Sequence, residues 1–213
     1  EKFIVNAEEM AVKNLEIFKN MNFEEREGLI NQKRVVALKE ILREKELSGI
    51  LELSLKGDCA STIGFLLRRF VFSSDEESVQ LIKLALESFK NDAHINYKNI
   101  IRGLLSEGDD NTSLFESLSG YLDDSGKVQV YLQAPFGSQV WRLVDSLDGN
   151  YQQEYWEKIV PSYCANINEV EEAVKYLLLA NRPQTAFLYV NLILKKISPK
   201  VIFDILTAML LPT

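Results

Sequence analysis

Apolar residues in this chain recur at spacings of three and four, in short segments parted by turns of a few residues. Because an α-helix advances about 100° per residue, that spacing gathers apolar side chains on one helical face. Between Phe3 and Met21 the face is Ile4, Ala7, Ala11, Leu15 and Phe18. A second helix is predicted from about Phe23 to Lys45, with Val35, Leu38, Ile41 and Leu42 inward and Lys39, Glu40, Arg43 and Glu44 outward. A short apolar helix over Leu47–Leu55 stops at Gly57, since glycine takes positive φ cheaply.

Turn and cap residues punctuate the rest. Asp58 is expected to cap a helix running through Ile63, Leu66, Leu67 and Phe70. Ser74 with Glu77, Ser113 with Glu116, and Asn166 with Glu169 have the spacing of a capping box, in which each side chain satisfies a backbone donor of the other. Val79, Ile82, Leu86 and Phe89 follow the first box, and a further helix covers about Ile95 to Leu105. Ser138 is placed as a cap, Gly149-Asn150 as a separator, and Tyr151–Val160 as a helix closed by Pro161. The helix after Asn166 carries Val170, Ala173, Val174, Leu177 and Leu178 inward. Asn181-Arg182-Pro183 forms a tight turn, with the proline at the first position of the next helix. That helix, Gln184 to Ile197, is apolar over most of its circumference, which predicts a sandwiched position. Ser198-Pro199 starts the last helix, with Val201, Ile202, Ile205, Leu206 and Met209.

The segment 127–133 is ambiguous. Val128, Val130 and Leu132 alternate with polar neighbours as a strand would, but no second such run exists to pair with it, so a helix is expected. The whole therefore reads as all-α. Short connections set neighbouring helices antiparallel, and hairpins unable to cover their own apolar faces stack into an irregular α-solenoid of HEAT or TPR type. The loop-like runs Glu107–Asn111 and Asp123–Gly126 place a division into 1–110 and 111–213, unless one solenoid runs throughout.

The 213 residues are 46% hydrophobic and 26% charged, enough to bury a core without a metal or disulfide. Cys59 and Cys164 lie far apart and read as reduced thiols in a cytoplasmic protein. No apolar run is long enough for a membrane span. Neither terminus looks like a natural boundary, which suggests a piece of a larger protein. A net charge of −7 disfavours nucleic acid as the partner, and the basic clusters around Lys33-Arg34, Arg68-Arg69 and Lys195-Lys196 are small.

Chemistry is not written in any motif. His94, the single histidine, follows Asn91-Asp92-Ala93 and reads as a loop or cap residue, with no nucleophile assigned to it. One histidine and two separated cysteines do not make a metal site, and Asp109-Asp110-Asn111 does not continue as a calcium loop. Gly103, Gly108 and Gly120 do not lead into a phosphate-binding loop, and Gly137-Ser138 lacks the glycines of a nucleophile elbow. The expectation is a protein without catalytic residues, metal or cofactor.

Aromatic residues offer the one candidate binding site: Trp141, Tyr151, Tyr155 and Trp156, with Phe136 just before them. Such rings serve equally as wedges in a helical core and as anchors in an interface, and an indole can stack on a base. Tyr155 and Trp156 are adjacent, so at least one of them is expected to stay partly accessible.

The run Ala134-Pro135-Phe136, Trp141, Tyr155-Trp156, Pro161 and Leu178–Phe187 resembles the helical-repeat region of large uncharacterised bacterial multidomain proteins, as does Lys33–Leu42. That resemblance implies a HEAT- or TPR-like array inside a longer cytoplasmic bacterial protein and supplies no catalytic residues. The leading expectation is a noncatalytic interaction or scaffold domain that binds a protein or another domain of its own chain. The alternative is a nucleic-acid-binding or base-processing HEAT-like protein that uses Trp141 or Trp156 to stack a base.

Overall fold

A computed structural model describes residues 21–106, 111–162 and 166–210. Among these residues there are eleven α-helices and no strand. The chain divides into two compact units, 1–121 and 122–213. The helix expected from Phe3 lies outside the described residues apart from Met21, as do Cys164 and Asp109-Asp110.

In the first unit α1 spans Phe23–Ser54, α2 Ala60–Leu66, α3 Asp75–Asn91, α4 Ile95–Leu104 and α5 Thr112–Ser119. Asn22 caps α1 in a full capping box with Glu25. The helices expected over 23–45 and 47–55 are the two limbs of α1, parted by a kink at Glu46, whose φ of 55° and ψ of −158° leave the helical region. Gly49 belongs to this kink, because a Cβ there would collide with the Cβ of Lys45. Leu38, Ile50, Leu53, Ile63, Leu66, Leu81, Ile82, Ile100 and Leu104 build the core.

Asn96, fully inside, donates from Nδ2 to the carbonyls of Ser54 (2.7 Å) and Gly57 (2.9 Å), tying the start of α4 to the end of α1. The Gly57 carbonyl is thus held by another helix, and α2 begins after Cys59 rather than from a cap by Asp58. Beyond Leu66 the chain continues as a π-helical turn over Leu67–Val71. Glu77 returns to the Ser74 N–H at the start of α3 as expected, and also accepts from Ser73. Ser113 does not start a box. Helix α5 begins one residue earlier, and the Ser113 hydroxyl donates to Asp75 at 2.6 Å.

The second unit holds α6 (Asp124–Tyr131), α7 (Ser138–Val144), α8 (Gly149–Lys158), α9 (Ile167–Leu179), α10 (Pro183–Val190) and α11 (Pro199–Leu210). The ambiguous segment 127–133 is helical through Tyr131, capped by Asp123 accepting from the Gly126 N–H. One hydrogen bond displaces two local expectations. Ser138 is the first residue of α7 and donates its hydroxyl to Glu169 at 2.9 Å, so Glu169 joins two helices and Asn166 caps α9 through the Asn168 N–H. Gly149 opens α8 instead of separating helices, with Asp148 before it. The helix after Pro183 ends at Val190 and tightens into a 3₁₀ turn over Asn191–Lys196, and its circumference is not wholly covered, since Leu188 is exposed.

Candidate functional site

Rings from several helices and loops of the second unit converge. Phe136 meets Trp141 edge-on at 4.9 Å, Trp156 at 6.2 Å and Tyr189 at 5.7 Å between centroids. Trp156 stacks on Tyr176 of α9 at 4.5 Å with the planes 8° apart, and Trp141 lies 5.9 Å from Trp156. Three of the four aromatic candidates therefore belong to one cluster, and it is interior: Trp141 is 1% exposed, Tyr155 0% and Trp156 4%. Tyr151, one turn before Tyr155 on α8, is half-buried. The expectation that Tyr155 or Trp156 stays accessible is not met. Helix α8 packs against α6, α7 and α9, so neighbours cover more than one of its faces and both adjacent rings find cover.

Polar atoms of this cluster are sparsely satisfied. The Nε1–H groups of Trp141 and Trp156 and the Tyr155 hydroxyl are buried without a hydrogen-bond partner. Burial pushes the Tyr155 phenol far above its ordinary pKa; the neighbouring Trp141 indole offsets part of this without reaching hydrogen-bond geometry. Tyr176 is different: its hydroxyl donates to Asp145 Oδ2 at 2.8 Å. Burial, together with Asp145, pushes its pKa up to about 12. Arg182 closes one edge of the unit by donating from Nη1 to the carbonyls of Trp156 (2.7 Å) and Ile159 (2.8 Å). As placed, the indoles present no surface for a base.

Surface apolar residues lie elsewhere in the unit: Val160, Leu179 and Leu188 are exposed singly, and α11 carries a group of them. Val201 and Ile205 face the interior. On the opposite side of the same helix Phe203 is 68% exposed, Leu206 45% and Leu210 79%, with Met209 beside them. The sequence names Val201, Ile202, Ile205, Leu206 and Met209 along this helix without dividing them between faces, and Phe203 and Leu210 are not among them. The signal was present, since the apolar residues of this helix spread beyond one face and leave only the side of Lys200, Asp204 and Thr207 polar.

His94 is the N-cap of α4, its Nδ1 accepting from the Asn96 N–H at 3.2 Å. Arg68 donates to the Leu104 carbonyl and pairs with Asp75 at 3.6 Å, while Arg69 lies over the Phe65 ring. Cys59 is a buried free thiol whose pKa burial raises. Among the described residues no helix is long and apolar enough to cross a membrane.

No protein-family model matches the chain, and neither a curated protein nor a solved structure matches it.

Proposed function

We propose that the chain is a noncatalytic helical-hairpin module that binds protein, or packs against another domain of its own chain, through the outer face of α11. The observation that carries this reading is the double-sided helix: Val201 and Ile205 inside, Phe203, Leu206 and Leu210 outside. An apolar stripe left in water costs roughly 25 cal/mol per Å² relative to one that is covered, so a contiguous one favours association. An irregular HEAT- or TPR-like array within a larger cytoplasmic bacterial protein belongs to the same proposal, supported by helices that pack on their chain neighbours, α3 on α4 and α9 on α10. The nucleic-acid alternative draws no support from Arg68, which holds Leu104 and Asp75, or from the buried indoles.

The test is Phe203→Asp, alone and with Leu206→Asp, in a chain whose circular dichroism and melting are compared with the parent. Exposed positions tolerate such changes within about 0.5 kcal/mol, so the fold is expected to survive. Loss of partner or adjacent-domain association with the fold intact supports the reading; undiminished association removes α11 from it.

A further inference from the structure

The kink in α1 opens a groove against α3 in the first unit, with a volume of about 640 Å³. Leu42, Leu47 and Leu84 give it an apolar lining, each of them half-buried. Glu46, Glu77 and Glu87 add carboxylates to its walls. Glu77 is committed to Ser73 and Ser74. Glu46 and Glu87 are exposed, and neither forms an ion pair with another described residue. The lysine that lines the groove, Lys83, sets its Nζ 5.1 Å from the centroid of the Tyr121 ring. Arg43, one residue from Leu42, pairs with Glu40 and Glu44. With Ser48 and Gln80 completing the lining, the groove offers three leucines among polar groups and more carboxylates than ammonium groups.

We infer that this groove binds a basic amphipathic helix of a partner protein, taking leucine-sized side chains on Leu42, Leu47 and Leu84 and lysine or arginine at Glu46 and Glu87. Charge decides the occupant. A second copy of this chain brings a net charge of −7, which works against its approach to a negative edge. The chain's own residues 1–20 carry Glu1, Glu8, Glu9 and Glu16 against Lys2, Lys13 and Lys19, so they bring no positive excess either. A bare polyamine matches the carboxylates but leaves the leucines uncovered, whereas an amphipathic helix uses both and offers anchors at i, i+3, i+4 and i+7. Glu46 belongs to the device in a second way. Its non-helical φ and ψ form the bend that opens the groove, and strained residues of this kind gather at binding sites.

The inference rests on the reading of the chain as a binding module but not on α11. It is tested with the full chain and two fluorescein-labelled helical peptides with identical leucine positions, one flanked by lysines and one by glutamates. Fluorescence anisotropy is expected to show at least tenfold tighter binding of the lysine peptide, weakening between about 0.05 and 0.5 M salt as exposed charges are screened. Glu46→Gln with Glu87→Gln should cost at least tenfold. Glu46→Gly should weaken binding while the protein melts no lower, which separates lost binding from lost folding. Phe203→Asp should leave it unchanged, so failure here and failure at α11 are told apart. Equal binding of both peptides, indifference to the glutamate variants, or equal binding of a lysine peptide without leucines would overturn the inference.

Discussion

Gly64 of α2 and Gly103 of α4 face each other where the two helix backbones meet. A Cβ on Gly64 would strike the Ile100 carbonyl, and one on Gly103 would strike the Ser61 carbonyl, so backbone meets backbone with no side chain to yield. Gly64→Ala or Gly103→Ala should therefore lower unfolding free energy by roughly 1–3 kcal/mol. Gly28, exposed in α1 with nothing near its missing Cβ, gives the control: Gly28→Ala should raise stability by about 1 kcal/mol. Urea denaturation of the three variants decides the matter, and similar costs at Gly28 and Gly64 would contradict the contact.

At the α1 kink the sign reverses between neighbours. Glu46 holds a backbone conformation natural to glycine, so Glu46→Gly should stabilise by about 1 kcal/mol. Gly49→Ala should destabilise, because Lys45 occupies the space a Cβ needs. Thermal melts of both read the difference directly.

The cap at the start of α3 gives a pH signature. Burial pushes the Glu77 carboxyl up, but hydrogen bonds from the Ser73 N–H and hydroxyl and the Ser74 N–H outweigh it, and its pKa lies below the usual value. A depressed folded-state pKa contributes stability above the unfolded value of about 4.3, and that contribution disappears as pH falls through the folded value. Glu77→Gln should melt lower than the parent at pH 7, and the gap should close under acid. A gap independent of pH would show that the charge is not involved.

Tyr155→Phe removes a buried hydroxyl that has no partner and keeps the ring, so stability should hold or rise by up to about 1 kcal/mol. Trp156→Ala, which empties the stack on Tyr176, should cost about 3–5 kcal/mol. A large loss from the tyrosine change alone would reveal a hydrogen bond there.

Arg182→Ala leaves the carbonyls of Trp156 and Ile159 without their charged donor and should cost about 2 kcal/mol in chemical denaturation. Restoration of stability by lysine would show that charge alone suffices.

The capping box at Ser74–Glu77 and the first-turn proline Pro183 were legible because their partners sit within one helical turn. The same rule failed at Ser113 and Ser138, whose hydroxyls go to Asp75 and Glu169, 38 and 31 residues away. The aromatic residues stand out in the sequence by their type alone, yet their exposure depended on how many helices close around α8. The break at Glu46 was legible as the boundary between two expected helices, but the groove beside it depends on α3, which only the packing brings there.

Sequence alone determined that the described chain is helical and where most of its helices lie, because periodicity and caps are local properties of the backbone and its nearest neighbours. Only the tertiary structure decided which apolar faces find cover. Val201 and Phe203 are both apolar and stand two residues apart on one helix, yet the first is buried and the second lies open, because burial depends on neighbours brought from elsewhere in the chain.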